Sequence, residues 1–198
     1  MCKLQGYSME QLEVIELGRK LKLDTSYYED TNLADSQMWL VLKGLLNKLD
    51  VTKYNKPCYN FRQMNELLTG LKKNINIDCC LNPNLNANKM HEIILGLEVS
   101  DDMKHYAYDE YSVHQLKQIR LGLEDKVDIS LYANVCVSAF NMSLIRLLLT
   151  YNINPNNYNI LNLADEVLTD IYRFRKDSNK IKEILEPFYI KNEVVLTI

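Results

Sequence analysis

The residues that could do chemistry are few, and they are scattered along the chain. The three histidines are His91, His105 and His114. His91-Glu92 begins like the His-Glu-x-x-His motif of zinc proteases, but position 95 is Leu, so the second histidine ligand is missing. The glycines do not match the phosphate-binding or dinucleotide-binding patterns either. The sequence therefore predicts no catalytic residue, no cofactor-binding residue and no metal ligand, and we expect a protein that is not an enzyme.

The five cysteines offer a second kind of chemistry. They include no Cys-x-x-Cys pair, and an odd number is unlike the disulfide framework of a small secreted protein. We expect reduced thiols in a cytoplasmic protein. Cys58 and Cys136 occupy one position of the repeat described below, which favours structural thiols over a nucleophile. The adjacent pair Cys79-Cys80 leaves soft-metal binding or oxidation open.

Charged clusters have a structural explanation. The pairs Asp101-Asp102 and Asp109-Glu110 suit helix N-termini, where carboxylates interact favourably with the helix dipole. A basic stretch at 173–182 is interleaved with Asp170, Asp177 and Glu183. We interpret this stretch as a solvated terminal helix, with an RNA-contacting patch as the alternative.

An internal repeat determines which elements position these residues. Five of the six glycines recur every 26 residues, at Gly18, Gly44, Gly70, Gly96 and Gly122. Three further positions keep the same register: Gln11, Gln37, Gln63, Lys89, Gln115, Asn141; Tyr28, Tyr54, Cys80, Tyr106, Tyr132, Tyr158; and Asp24, Asp50, Asn76, Asp102, Asp128, Asn154. Repeats 1 to 6 begin at Tyr7, Leu33, Tyr59, Leu85, Tyr111 and Val137. Such periodicity is typical of stacked structural repeats.

Each repeat carries the signals of one helix. Its second residue is mostly Ser or Asn, and Gln follows three residues later, which is the pattern of a capping box. Apolar residues then recur at helical spacing. A glycine inside a helix costs about 1 kcal/mol relative to Ala, so the repeated glycine predicts close approach of a neighbouring backbone. A helix C-cap at the glycine is the alternative. The Asp/Asn position predicts a second N-cap before a short helical turn.

A repeat this small cannot bury its own apolar face and must stack on its neighbours. We therefore predict an all-α fold, an α-solenoid of about six 26-residue repeats, each with one helix of about 14 residues and a short helical turn. The predicted solenoid spans 7–160. Residues 161–198 form a diverged repeat, a C-terminal capping helix and an apolar tail, Val194-Val195-Leu196.

The repeat resembles one found in proteins of phages and conjugative elements from gut bacteria. The resemblance is clearest over Tyr111–Asn134, covers most of the chain and weakens at Cys80 and Asp101. It implies a mobile-element setting, in which small non-enzymatic proteins bind and block host defence machinery, anti-CRISPR proteins among them. It implies no catalytic residue.

Composition limits the class of partner. The chain has 198 residues, of which 47% are hydrophobic, so it can form a core and is not a disordered protein. Its 26 acidic and 23 basic residues give a net charge of −3, without the basic excess of most nucleic-acid binders. No apolar run approaches the ~18 residues of a membrane span, and residues 1–7 show no signal-peptide segment. We expect no membrane partner.

One position of the repeat is a candidate recognition row. It reads Glu13, Trp39, Asn65, His91, Lys117, Ser143, and five of these six residues are polar, so the row should face solvent. The lone Trp39 is either a packing contact or an exposed anchor, since Trp is enriched in interface hot spots. We predict partner binding by Trp39, Asn65, His91 and Lys117. The predicted function is a non-enzymatic scaffold that binds a protein, with nucleic-acid binding as the alternative; the oligomeric state stays open.

Overall fold

In the computed structural model, which describes residues 6–190, all regular structure is helical and no strand is present in that range. The eight α-helices are α1 Met9–Lys20, α2 Asp35–Leu46, α3 Phe61–Lys72, α4 Ala87–Val99, α5 Val113–Glu124, α6 Ala139–Thr150, α7 Asp165–Arg173 and α8 Ser178–Leu185. The predicted all-α helical repeat fold is confirmed. Helices α1–α6 have 12 or 13 residues, and their two cap residues bring them to the predicted length of about 14.

The chain divides into two compact units, Met1–Asp109 and Glu110–Ile198. In unit 1, α1 packs on α2, α2 on α3 and α3 on α4. In unit 2, α5 packs on α6, α6 on α7 and α7 on α8. The domain boundary at residue 160 stays a prediction, and the apolar tail Val194-Val195-Leu196 lies outside the described residues. Within 6–190, no helix is both long and apolar enough to span a membrane.

The helix starts are built by the predicted capping boxes. Ser8, Asn60 and Ser112 each accept a hydrogen bond from the backbone N–H of the Gln three residues later. That Gln accepts one in return from the backbone N–H of the cap residue. Repeat 2 has Ala34 as its cap residue and keeps only the Gln half, from Ala34 N–H to Gln37 Oε1 at 2.7 Å.

The helix ends also follow the repeat. The chain leaves five helices through a residue in the left-handed conformation, with φ between 56° and 63°. These residues are Lys22, Lys48, Asn74, Lys126 and Asn152. The predicted second N-caps follow two residues later at Asp24, Asp50, Asp128 and Asn154. In repeat 3, Asn76 still accepts from the N–H of Asp78, but the 3₁₀ turn begins at Asp78, with Ile77 as its N-cap. Repeat 4 differs: Ser100 is extended there, and its hydroxyl, not Asp102, caps the 3₁₀ turn Asp101–Tyr106.

The repeated glycine makes room for side chains, so the expectation of a neighbouring backbone is wrong. A methyl group on Gly44 would overlap the hydroxyl of Tyr54 and lie 2.6 Å from Cγ1 of Val51. Val51 begins the 3₁₀ turn of the same repeat, and Tyr54 is its C-cap. The buried Tyr54 hydroxyl donates to the Leu40 carbonyl at 3.0 Å. Glycine thus leaves room for the tyrosine hydroxyl to reach the helix that precedes it.

The same arrangement recurs in repeats 1 and 5, but not in repeat 4, although Gly96 and Tyr106 are both present there. Gly18 faces Tyr28, and Gly122 faces Tyr132. In repeat 3 the tyrosine is replaced by the buried Cys80, and Ile77 lies against Gly70. In repeat 4 Met103 lies against Gly96. In repeat 6, where Leu148 takes the glycine position, Tyr158 packs edge-on against Tyr189 with ring centroids 5.6 Å apart.

The capping glutamines also join consecutive repeats. Gln11, Gln37, Gln63 and Gln115 are at most 8% exposed. Each donates through Nε2 to the carbonyl 22 residues later, at the start of the next repeat: Leu33, Tyr59, Leu85 and Val137, at distances of 2.5–2.8 Å. In repeat 4, Lys89 instead donates to the carbonyl and the carboxylate of Asp109. A polar side chain thus satisfies buried carbonyls that the stacking of repeats would otherwise leave unpaired.

Burial of the tyrosines predicts alkaline destabilisation. Burial raises the pKa of Tyr28 to about 12 from an ordinary value of 10.0, and it raises the pKa of Tyr54 as well. The unfolded chain therefore loses these protons first, and the stabilisation, complete below pH 10, is lost as the pH rises towards 12. We expect the urea midpoint to fall between pH 10 and pH 11.5, and less steeply in Tyr28→Phe. An equal slope in Tyr28→Phe would contradict this account.

Candidate protein-binding surface

Three of the four predicted binding residues lie in unit 1. Trp39 on α2, Asn65 on α3 and His91 on α4 are all exposed. Trp39 is 39% exposed, so it is not a core residue. Lys117 is exposed on α5 of unit 2. The row faces solvent as predicted, whereas partner binding by these residues stays a prediction.

Ion pairs show which residues are neighbours on adjacent repeats of unit 1. Nδ1 of His91 lies 3.0 Å from Oε2 of Glu66. Lys53 pairs with Asp78 at 2.7 Å, and Lys73 pairs with Glu98. All three pairs are 25 residues apart in the chain. At these three places a residue lies beside the residue 25 positions later, in the next repeat.

The repeat relates Trp39 to the His91–Glu66 pair. Trp39 and Val14 occupy the repeat positions that His91 and Glu66 occupy two repeats later. Val14 is completely buried and apolar, so the position that gives His91 an ionic neighbour gives Trp39 none.

The structure adds two apolar residues to Trp39 that the sequence analysis did not single out. Leu46 is 49% exposed and lies two helical turns after Trp39 on the outer face of α2. Leu21, the C-cap of α1, is 46% exposed. Leu21 and Leu46 occupy the repeat positions of Lys73 and Glu98, which form an ion pair two repeats later, so the repeat predicts that the two leucines are neighbours. Their exposure was detectable from the repeat, because the other residues at their two repeat positions are mostly polar. The first position reads Lys20, Leu46, Lys72, Glu98, Glu124, Thr150. The second position reads Leu21, Asn47, Lys73, Val99, Asp125, Tyr151.

Three lysines surround these apolar side chains. Lys20 on α1 and Lys72 on α3 occupy the repeat position of Leu46 on α2, and Lys43 precedes Leu46 by one turn. All three are exposed, and none makes an ion pair within residues 6–190. We define the α2 surface as Leu21, Trp39 and Leu46 together with Lys20, Lys43 and Lys72.

The cysteines differ in accessibility. Cys58 and Cys136 are exposed, Cys79 is half-buried and Cys80 is buried, and all four are free thiols. A hydrogen bond to Cys80 lowers the pKa of Cys79. The same hydrogen bond, together with burial, raises the pKa of Cys80. The buried Cys80 fills the position of the repeat tyrosine, so its place in the core has a packing explanation.

The described residues form no metal site, and they form an open cleft in unit 2. Among residues 6–190, no group of three or more His, Cys, Asp or Glu side chains is arranged to hold a metal ion. Unit 2 contains an open cleft of about 580 Å³ between the turn after α6 and helix α8. Asn152, Asn157, Tyr158 and Lys182 line it together with Glu183, which pairs with Lys180 at 2.7 Å.

Comparisons with family models, with curated proteins and with solved structures found no match to this chain. The resemblance to repeats of phages and conjugative elements therefore stays a prediction.

Proposed function

We propose that this chain is a non-enzymatic scaffold that binds a protein partner through the exposed row on unit 1. The observation that carries this proposal is the 39% exposure of Trp39 on a helix whose opposite face is fully packed. A large exposed aromatic side chain loses little entropy on binding and buries much area, which is why Trp is common at hot spots.

The repeat architecture supports the proposal because it fixes the row in place. Each helix of unit 1 is capped at its start and tied to the next repeat by a buried Gln or by Lys89. Side chains on such helices are presented with little backbone freedom, so binding costs little ordering entropy. In repeat proteins, surface positions vary while packing positions stay constant, and the Trp39 row varies in this way.

The finer proposal concerns the partner. Following the mobile-element resemblance, we propose an inhibitor or adaptor that occludes a host defence effector such as a CRISPR nuclease. Nucleic-acid binding is the competing function, favoured only by the unpaired lysines of the α2 surface. The net charge of −3 disfavours it, since phosphate neutralisation supplies most of the affinity in that class.

The test is an affinity capture from nuclease-treated lysate of a gut bacterium, read by mass spectrometry. We expect one stoichiometric protein with the wild type and its loss with Trp39→Ala/His91→Ala. The matched control is Tyr108→Ala, which removes an aromatic side chain that is 57% exposed in unit 1 but outside the row. Retention of the protein by the double variant would contradict the proposal. Recovery of nucleic acid alone, with steep salt dependence, would favour the competing function.

A further inference from the structure

The apolar part of the α2 surface has a spacing that a helix can match. Trp39 and Leu46 are seven residues apart, which places them about 10 Å apart along α2. Leu21 extends the apolar area beside Leu46. A partner helix lying along α2 presents residues i and i+7 at the same separation, as in other complexes where an amphipathic helix docks on an apolar face.

Positive and negative side chains occupy different parts of this surface. The three lysines lie around Leu46, whereas Glu13 lies on α1 at the repeat position of Trp39. The nearby carboxylates of Asp24 and Asp50 cap 3₁₀ turns. Lysines near a helix C-terminus also interact favourably with the helix dipole. That effect accounts for Lys20 and Lys72, but it does not account for two exposed leucines between them.

We infer that the α2 surface binds an acidic amphipathic helix of a partner protein. Apolar residues at i and i+7 of that helix cover Trp39 and Leu46, and its carboxylates pair with Lys20, Lys43 and Lys72. The inference rests on the proposed protein-binding function and specifies the chemistry of the partner. A nucleic-acid strand fits less well, because the leucines offer neither a stacking face nor a charge for phosphate.

The probe is a fluorescein-labelled, alanine-based peptide of about 18 residues, long enough to form a helix in water. It carries Leu at i and i+7 and Glu on the flanking positions; a second peptide carries Lys in place of Glu. We expect the protein to bind the Glu peptide and not the Lys peptide. Trp39→Ala should weaken binding of the Glu peptide by about tenfold or more, as truncation of a hot-spot Trp does.

Charge reversal gives the sharpest readout. Lys20→Glu/Lys43→Glu/Lys72→Glu should release the Glu peptide and bind the Lys peptide instead. The control Lys126→Glu/Lys176→Glu/Lys182→Glu changes three exposed lysines of unit 2, alters the net charge equally and should leave the preference unchanged. Unchanged helical circular dichroism establishes that each variant is folded.

Three outcomes would overturn the inference: no binding of the Glu peptide by the wild type, equal binding of both peptides, or displacement of the Glu peptide by single-stranded oligothymidine. The lysate capture separates this inference from the proposed function. If Trp39→Ala loses the captured protein but charge reversal retains it, the surface binds a protein of other chemistry and only the inference fails. If Trp39→Ala/His91→Ala also retains it, the proposed function fails.

Discussion

Replacing Gly44 by Ala is expected to destabilise the protein by about 2–4 kcal/mol, although Ala is the better helix former by about 1 kcal/mol. The added methyl group would occupy the space of the Tyr54 hydroxyl and press on Val51. The tyrosine ring is completely buried, so it cannot move aside without losing its hydrogen bond to Leu40 and its packing. Urea unfolding followed by circular dichroism measures the loss.

Gly96→Ala is the matched control, because the glycine occupies the same repeat position. Its nearest neighbours are Cγ, Sδ and Cβ of Met103, so the methionine must shift by rotating its side chain, which an unbranched thioether does more readily than a buried tyrosine ring. We expect a loss of less than about 1.5 kcal/mol there. The double variant Gly44→Ala/Tyr54→Phe removes the overlapping hydroxyl, so its loss should fall short of the sum of the single losses. Equal effects of Gly44→Ala and Gly96→Ala would refute the role of the tyrosine.

The helical repeat was predictable because its local signals agree with one another. Capping residues, the Gln position and the left-handed helix ends recur with a constant step, and each depends on neighbours within a few residues in sequence. Local hydrogen bonding of this kind is encoded in short segments. The exposure of the Trp39 row was also predictable, because the other residues at that repeat position are polar.

The role of the glycine was not predictable in the same way. A mid-helix glycine indicates that another group packs close to the helix at that point. Which group does so depends on whether the tyrosine ten residues later folds back against the glycine. The exceptions in repeats 3 and 4 show the same dependence, because Ile77 and Met103 fill the space there.

The α2 surface was only partly predicted for a related reason. The neighbours of Trp39 follow from the 25-residue offset between adjacent helices, which is a property of the stack and not of any one repeat.

Replacing Gln63 by Leu is expected to destabilise the protein by about 2–4 kcal/mol, because the variant leaves buried polar groups without partners. Gln63 is 4% exposed. Its Oε1 accepts from the N–H of Asn60 at 2.8 Å, and its Nε2 donates to the carbonyls of Pro83 and Leu85 at 2.8 and 2.7 Å. Leucine keeps most of the volume and makes none of these bonds. Arg62→Leu, an exposed change on the same helix, should alter stability by less than about 0.5 kcal/mol.

A second variant, Gln63→Glu, separates the two functions of this side chain. An ionised carboxylate can still accept from Asn60, but it cannot donate to the carbonyls of the next repeat. If the contact between repeats carries most of the stability, Gln63→Glu should lose about as much as Gln63→Leu at pH 7. Amide exchange should then accelerate at Leu85 and at the start of α4, while α1 stays protected. A loss confined to Gln63→Leu would instead assign the stability to the capping box, and repeat 3 would then be stabilised within its own helix.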